Sequence, residues 1–263
     1  MIFVYDGSYE GFLSAVFDAY SLKIKPLNIS AASGDIQIDL GGKFHYVEAA
    51  DEKADRLIAG MEKIGFADKV LFAFLSWMLN KEMTIYRYII MGFNLKEKIL
   101  TLTGNDIVNK VNDMCSQTAN EKYRMRGFLR FSVMKNSVHF AEISPKNNVL
   151  PLIMPHFSRR MGTMPFLIHD MTYKQVGLYD NLEWFICSSE NLILPGLHSD
   201  EEKYRKAWKL FYDTTAVEGR ENLEYRNKKM PARYHKHITE LQNFTNHDSP
   251  EDKTAFLPLS LHQ

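Results

Sequence analysis

Residues 128–143 read Phe128-Leu129-Arg130-Phe131-Ser132-Val133-Met134-Lys135-Asn136-Ser137-Val138-His139-Phe140-Ala141-Glu142-Ile143. Two runs of β-favouring residues, 128–133 and 138–143, flank Lys135-Asn136. Before them the apolar residues fall at helical spacing; from here on they fall in short strand-like runs. With Lys135-Asn136 as the turn, Val133 faces Val138 and Phe131 faces Phe140. The other face then carries Phe128, Arg130, Ser132, His139, Ala141 and Ile143.

Upstream lies a helical block. Asn105 opens a helix with Ile107, Val108, Val111, Met114 and Cys115, and residues 83–93 form another. Asp68 caps a helix bearing Val70, Leu71, Phe74, Leu75, Met78 and Leu79, and Asp51 caps one bearing Leu57, Ile58, Met61 and Ile64. Apolar stripes at this period bury against a core. At the start, residues 2–5 form a strand, Asp6-Gly7-Ser8 turns the chain, and Ser8 caps a helix carrying Phe12, Leu13, Val16, Phe17 and Tyr20. Residues 36–40 alternate, Gly41-Gly42 turns, and residues 44–47 return as a hairpin.

Downstream, Pro155 starts a short helix that Gly162 ends. Residues 166–168, 173–179 and 182–187 read as strands. Asp200 opens a strong helix with Tyr204, Trp208, Phe211 and Tyr212 on one side. Strands at both ends of a helical block predict an α+β protein, a helix-rich N-terminal part followed by an antiparallel sheet with packed helices. The expected division is an N-terminal α/β part over residues 1–82, a C-terminal module with a basic surface over 83–245, and a polar tail over 246–263.

The 263 residues are 45% apolar, enough for a substantial core. Thirty-two Lys and Arg balance 32 Asp and Glu. A neutral chain has no global field to draw in a polyanion, so any such attraction must be local. Two stretches supply it. Lys122, Arg124, Arg126, Arg130 and Lys135 occur without an intervening carboxylate. Residues 203–236 hold ten Lys and Arg against four Asp and Glu, interleaved with Tyr204, Trp208, Phe211, Tyr212, Tyr225 and Tyr234. Cations neutralise phosphates and aromatic faces stack on bases.

Cys115 and Cys187 lie far apart in apolar settings, as buried thiols do in a reducing compartment. The opening Met-Ile-Phe-Val-Tyr-Asp lacks the basic region of a secretion signal, and the apolar runs are too short to span a bilayer. The expectation is a cytoplasmic protein with no membrane partner. No P-loop, dinucleotide fingerprint, Gly-x-Ser-x-Gly or His-Glu-x-x-His occurs, so no cofactor or metal is called for. His235 and His237 without a third ligand do not make a metal site.

Three basic motifs are candidate phosphate contacts: Arg124, Arg126 and Arg130 at a helix-to-strand junction; Arg159 and Arg160 in His156-Phe157-Ser158-Arg159-Arg160; and Lys228, Lys229 and Arg233 about Pro231. Guanidinium suits bidentate phosphate binding. Tyr225, Tyr234 and His235 are candidate stacking partners for a base. Asp6, His156 and His169 are the acid–base candidates, should the protein turn over a substrate itself.

Several blocks carry a resemblance. Tyr5-Asp6-Gly7-Ser8-Tyr9-Glu10-Gly11-Phe12-Leu13, Arg126-Gly127-Phe128-Leu129-Arg130-Phe131, Pro155-His156-Phe157-Ser158-Arg159-Arg160 and Met230-Pro231-Ala232-Arg233-Tyr234 resemble blocks of the bacterial "probable DNA metabolism protein" family, over residues 1–245. The C-terminal module of that family, a domain of unknown function, also occurs fused to uracil-DNA glycosylases. The family is encoded beside a radical SAM protein of DNA repair or modification. The resemblance implies a two-protein system in which this chain is the non-radical member. The absence of a Cys-x-x-x-Cys-x-x-Cys loop agrees with that division. Where the family's last block has a tryptophan after Arg-Tyr, this chain has His235.

Three functions are therefore expected candidates. One is a DNA-binding or substrate-presenting partner of the radical SAM protein, without catalysis of its own. The second is an enzyme on damaged DNA or nucleotides with an arginine-lined acid–base site. The third is a protein–protein scaffold.

Overall fold

The computed structural model describes residues 1–32, 43–215 and 223–242. Its elements run β1 (Ile2–Tyr5), α1 (Tyr9–Ser21), β2 (Asn28–Ala31), β3 (Phe44–Tyr46), α2 (Asp51–Ile64), α3 (Ala67–Phe74), α4 (Lys81–Leu95), α5 (Lys98–Thr101), α6 (Asp106–Phe128), β4 (Ser132–Val133), β5 (His139–Ile143), α7 (Leu150–Met161), β6 (Phe166–Asp170), β7 (Gln175–Tyr179), β8 (Trp184–Ser188), α8 (Glu201–Thr215), α9 (Leu223–Lys229) and α10 (Ala232–His235), with a 3-10 turn at Thr239–Leu241. The architecture is α+β. No helix among the described residues is long and apolar enough to cross a membrane.

The N-terminal part is a three-stranded parallel sheet, ordered β2-β1-β3, under α1–α4. All four residues of β1 are buried, as a central parallel strand requires. Ser8 caps α1 as expected, its Oγ accepting from the Gly11 N–H at 2.8 Å. Asp51 lies in the first turn of α2, and Ala50 stands at the cap without a side-chain bond. For the hairpin over 36–47, residues 36–42 lie outside the described residues. Its second strand, β3, runs parallel to β1.

Asn105 caps α6, its Oδ1 accepting from the Ile107 and Val108 N–H groups. This helix of 23 residues spans about 35 Å and joins two cores. Val108, Val111 and Met114 pack in the first, with Phe3, Phe12, Phe66 and Tyr88. Met125 packs in the second, with Ile143, Ile153, Phe157, Phe166, Ile168 and Tyr234.

The second core lies between α7 and a five-stranded sheet ordered β4-β5-β6-β7-β8. The sheet is mixed, not antiparallel: β5 and β6 are parallel, joined across α7. The reason lies in α7, which begins five residues before Pro155 and is long enough to carry the chain back for a parallel crossover. Gly162, at φ +61°, ends it as expected. Gly177 allows its close approach to the sheet, since a Cβ there would collide with Met154 Sδ.

The register of the β4–β5 hairpin also differs from the sequence expectation. Val133 faces His139 and Ser132 faces Phe140. The loop has three residues, closed by Met134 N–H to the Val138 carbonyl at 3.0 Å, with Ser137 left-handed at φ +63°. One added loop residue moves every pair by one. Phe128 ends α6 rather than opening a strand, so Arg130 lies on the link between helix and sheet.

Candidate nucleic-acid interface

The last turns of α6 and α7 bring three arginines together. Arg126 comes from α6, and Arg159 and Arg160 come from α7; all three are exposed. His156, one turn before Arg160 on α7, sits among them. Its basicity is lowered by partial burial and by the charges of Arg126, Arg160 and Arg159. Cations gather at helix C-termini because the free carbonyls there are partly negative. Arg159 uses this directly, Nε donating to the Pro155 carbonyl at 3.0 Å. Among the described residues, Arg126 and Arg160 have no acidic partner. Arg124, two residues before Arg126, is half-buried.

Beside this cationic shelf lies a groove of about 570 Å³, and Arg160 lines both. The α6–β4 link supplies Leu129, Arg130 and Phe131 to one wall. α8 supplies Tyr204, Arg205 and Trp208 to the other. Two acids brace these walls. Glu240 accepts from Arg130 Nη2 at 2.7 Å, Arg130 Nε at 3.3 Å and Trp208 Nε1 at 3.0 Å. Burial works against its ionisation, but those bonds outweigh it and the pKa is lowered. Glu201 accepts from Arg205 Nε at 3.1 Å and from the Val133 N–H at 2.9 Å. Arg205 also donates to Ser132 Oγ at 2.5 Å. Arg130 and Arg205 are thus neutralised where they stand.

Arg233 and Tyr234 have a different setting. Both hydrogen-bond to Glu121 of α6, Arg233 Nη2 at 2.7 Å. The same carboxylate accepts from the Lys146 and Asn147 N–H groups at 2.9 and 2.6 Å, and from Asn147 Nδ2 at 2.6 Å. Burial opposes its charge, yet these donors lower its pKa. Tyr234 is buried against Phe128, with its hydroxyl pKa raised by burial and by Glu121. Its ring has no face open to a base in this conformation. The seam holds α10 to α6 and joins the two cores, because Asn147 Oδ1 also accepts from the Trp77 N–H and Thr118 Oγ1.

The remaining predicted residues lie elsewhere. His235 Nε2 is 3.0 Å from the Met230 carbonyl, and His237 Nε2 is 2.8 Å from Ser144 Oγ, so the two rings serve separate partners. On α9, Lys228 is exposed and Lys229 Nζ lies 5.5 Å from the Tyr225 ring centroid. Asp6 is occupied as a turn acceptor for the Ser8 N–H and hydroxyl at 2.9 and 2.6 Å. His169 faces Glu142 across β5 and β6 at 3.7 Å. Neither of these two acid–base candidates, nor His156, lines the groove.

Sequence reasoning named Arg126, Arg159 and Arg160 along with Arg124, Arg130, Lys228, Lys229 and Arg233, without setting the three apart, and missed Arg205, Glu201 and Glu240. The Glu201–Arg205 spacing of four on a helix was a readable signal for their ion pair. Tyr204 and Trp208 share that spacing and one helix side, but were not among the predicted site residues.

A family model described as a domain of unknown function, DUF4130, matches residues 79–240. The chain belongs to this family. No curated protein and no solved structure matches it. The DUF4130 region takes in the shelf, both groove walls and the Glu121 seam, whereas β1 through α3 precede it.

Proposed function

We propose that this DUF4130 protein binds DNA through the shelf of Arg126, Arg159 and Arg160, as a DNA-binding or substrate-presenting partner of a radical SAM repair or modification protein. One observation carries the reading. Of the arginines in this region, those with nearby acids are neutralised, while three are left crowded around one imidazole with no acidic partner among the described residues. The helix C-termini attract cations only weakly and like charges repel, so folding alone is a small part of the reason to gather three; a phosphate backbone supplies the missing negative charge. The partnership rests on the sequence resemblance to the "probable DNA metabolism protein" family. The far edge of the sheet offers a partner protein exposed apolar surface at Leu182, Trp184, Phe185 and Ile193. A catalytic reading has less support, since none of Asp6, His156 and His169 lines the groove.

The test is a salt-titrated binding assay on single-stranded, duplex and damaged DNA, with and without the radical SAM protein. Affinity is expected to fall steeply with salt. The Arg159→Ala, Arg160→Ala double variant should lose about two units of salt slope, roughly one per phosphate contact. Absence of binding at low salt, or a slope that the double variant leaves unchanged, would overturn the proposal.

A further inference from the structure

We infer that the groove beside the shelf is a seat for one unpaired nucleobase, so that the preferred ligand is single-stranded or locally opened DNA. This rests on the phosphate reading above and goes one step past it, to what the strand must look like.

The argument is the division of charge. Inside the groove Arg130 is cancelled by Glu240 and Arg205 by Glu201, two positive charges against two negative. What remains is a neutral interior with aromatic and aliphatic walls. Arg160, which has no acidic partner among the described residues, stands in the lining and is shared with the shelf, where Arg126 and Arg159 continue the positive charge outward. A nucleotide divides in the same way, into a neutral planar base and an anionic phosphate. A free anion would gain most on the shelf and little inside. An apolar peptide would fill the interior and leave Arg160 unanswered.

The aromatic groups are suitably held. Tyr204 and Trp208 lie one turn apart on α8, 70% and 42% exposed. Trp208 is fixed in orientation by its N–H to Glu240, with the Arg130 guanidinium 5.9 Å from its ring centroid. Tyr204 makes no side-chain hydrogen bond among the described residues, so its ring is available for stacking. A volume of about 570 Å³ is of the size that takes a small planar ligand. A base within intact duplex cannot enter such a recess, because its faces are already stacked; it must first be extruded or lie in a single strand.

Trp208 can report on the event. With Trp77→Phe and Trp184→Phe, it is the sole tryptophan of the chain. Oligothymidine is expected to quench its fluorescence at low salt, and a blunt duplex of equal length is not. Tyr204→Ala, at an exposed side chain with no bond to lose, should weaken oligothymidine binding about tenfold, the range of one base–aromatic stack, and leave duplex binding unaltered. If both DNAs bind, Trp208 emission does not respond and Tyr204→Ala affects them equally, the base seat is wrong and the phosphate shelf stands. If the wild type binds neither DNA at low salt, both readings fall together.

Discussion

Two sets of arginines in this molecule look alike in sequence and differ in the fold. Arg233 of the Glu121 seam is fastened to a buried carboxylate that also holds Tyr234, Lys146 and Asn147. Arg126 and Arg160 of the shelf have no carboxylate among the described residues. A basic stretch is therefore not the same thing as a basic surface. Whether an acid answers each cation decides if the charge serves the fold or is left over for a ligand. Arg130 sits between the two cases, close to the groove yet bound by Glu240.

The largest expected effect separates the two sets by stability. Glu121→Ala leaves Tyr234, Asn147 and two backbone N–H groups without their acceptor at a site 3% exposed. Breaking a buried, multiply bonded carboxylate costs about 3 kcal/mol or more. Urea unfolding should show that loss, whereas the Arg159→Ala, Arg160→Ala pair should change stability by about 0.5 kcal/mol at most. Equal losses from both would erase the distinction between seam and shelf.

The second test sets one buried carboxylate against another. Asp170 is fully buried; its Oδ1 accepts from the Thr172 and Tyr173 N–H groups, but its Oδ2 has no hydrogen-bond partner among the described residues. Burial raises its pKa from 3.8 to about 7, against those two bonds and with a further push from Glu121. The sign follows from the unfolded chain ionising first. Stability is fully present below pH 3.8, falls as the pH rises towards 7, and is level above that. The slope is on the order of 1 kcal/mol per pH unit where only the unfolded state is ionised. Glu121 behaves oppositely: its lowered pKa contributes stability above the ordinary glutamate value, lost as the pH falls through the folded one. Asp170→Asn keeps the Oδ1 acceptor and removes the charge. Denaturation at pH 5 and pH 8 should then show the variant gaining stability over the wild type at pH 8 and gaining less at pH 5. A gain independent of pH would mean that Asp170 is already ionised in the fold at pH 5, as in the unfolded chain, and that burial does not raise its pKa.

Most local structure could be read from the sequence, because it depends on near neighbours. Ser8 and Asn105 cap their helices, Gly162 stops α7, and β6 through β8 occupy the predicted runs. Failures came where the deciding contact was remote or subtle. Ser137 in the left-handed region added a residue to a hairpin loop and shifted its register. The parallel pairing of β5 with β6 followed from a helix longer than its proline suggested. At the site, the partners that neutralise Arg130 and Arg233 lie 110 and 112 residues away in sequence. No periodicity reveals such a pair, so the stretch about Arg233 reads as basic although its arginine is occupied.

The smallest effect asks whether the shelf answers an anion as a unit. His156 is the titratable group at its centre, faced by Arg126, Arg159 and Arg160 and set edge-on to Phe157 at 5.0 Å between ring centroids. Burial and the three guanidiniums keep the ring neutral near pH 7. A bound phosphate would offset the arginine charges and restore basicity, so binding would draw in a proton wherever the pH lies between the free and bound pKa values. Affinity for DNA should then rise as the pH drops below about 6.5, the ordinary histidine value, by at most about tenfold per pH unit for one proton taken up. His156→Gln preserves the size of the side chain and removes the titration, and its affinity should be flat over the same interval at fixed salt. Should the wild type be flat as well, any phosphates would be bound away from the imidazole, and the three arginines would act singly and not as one seat.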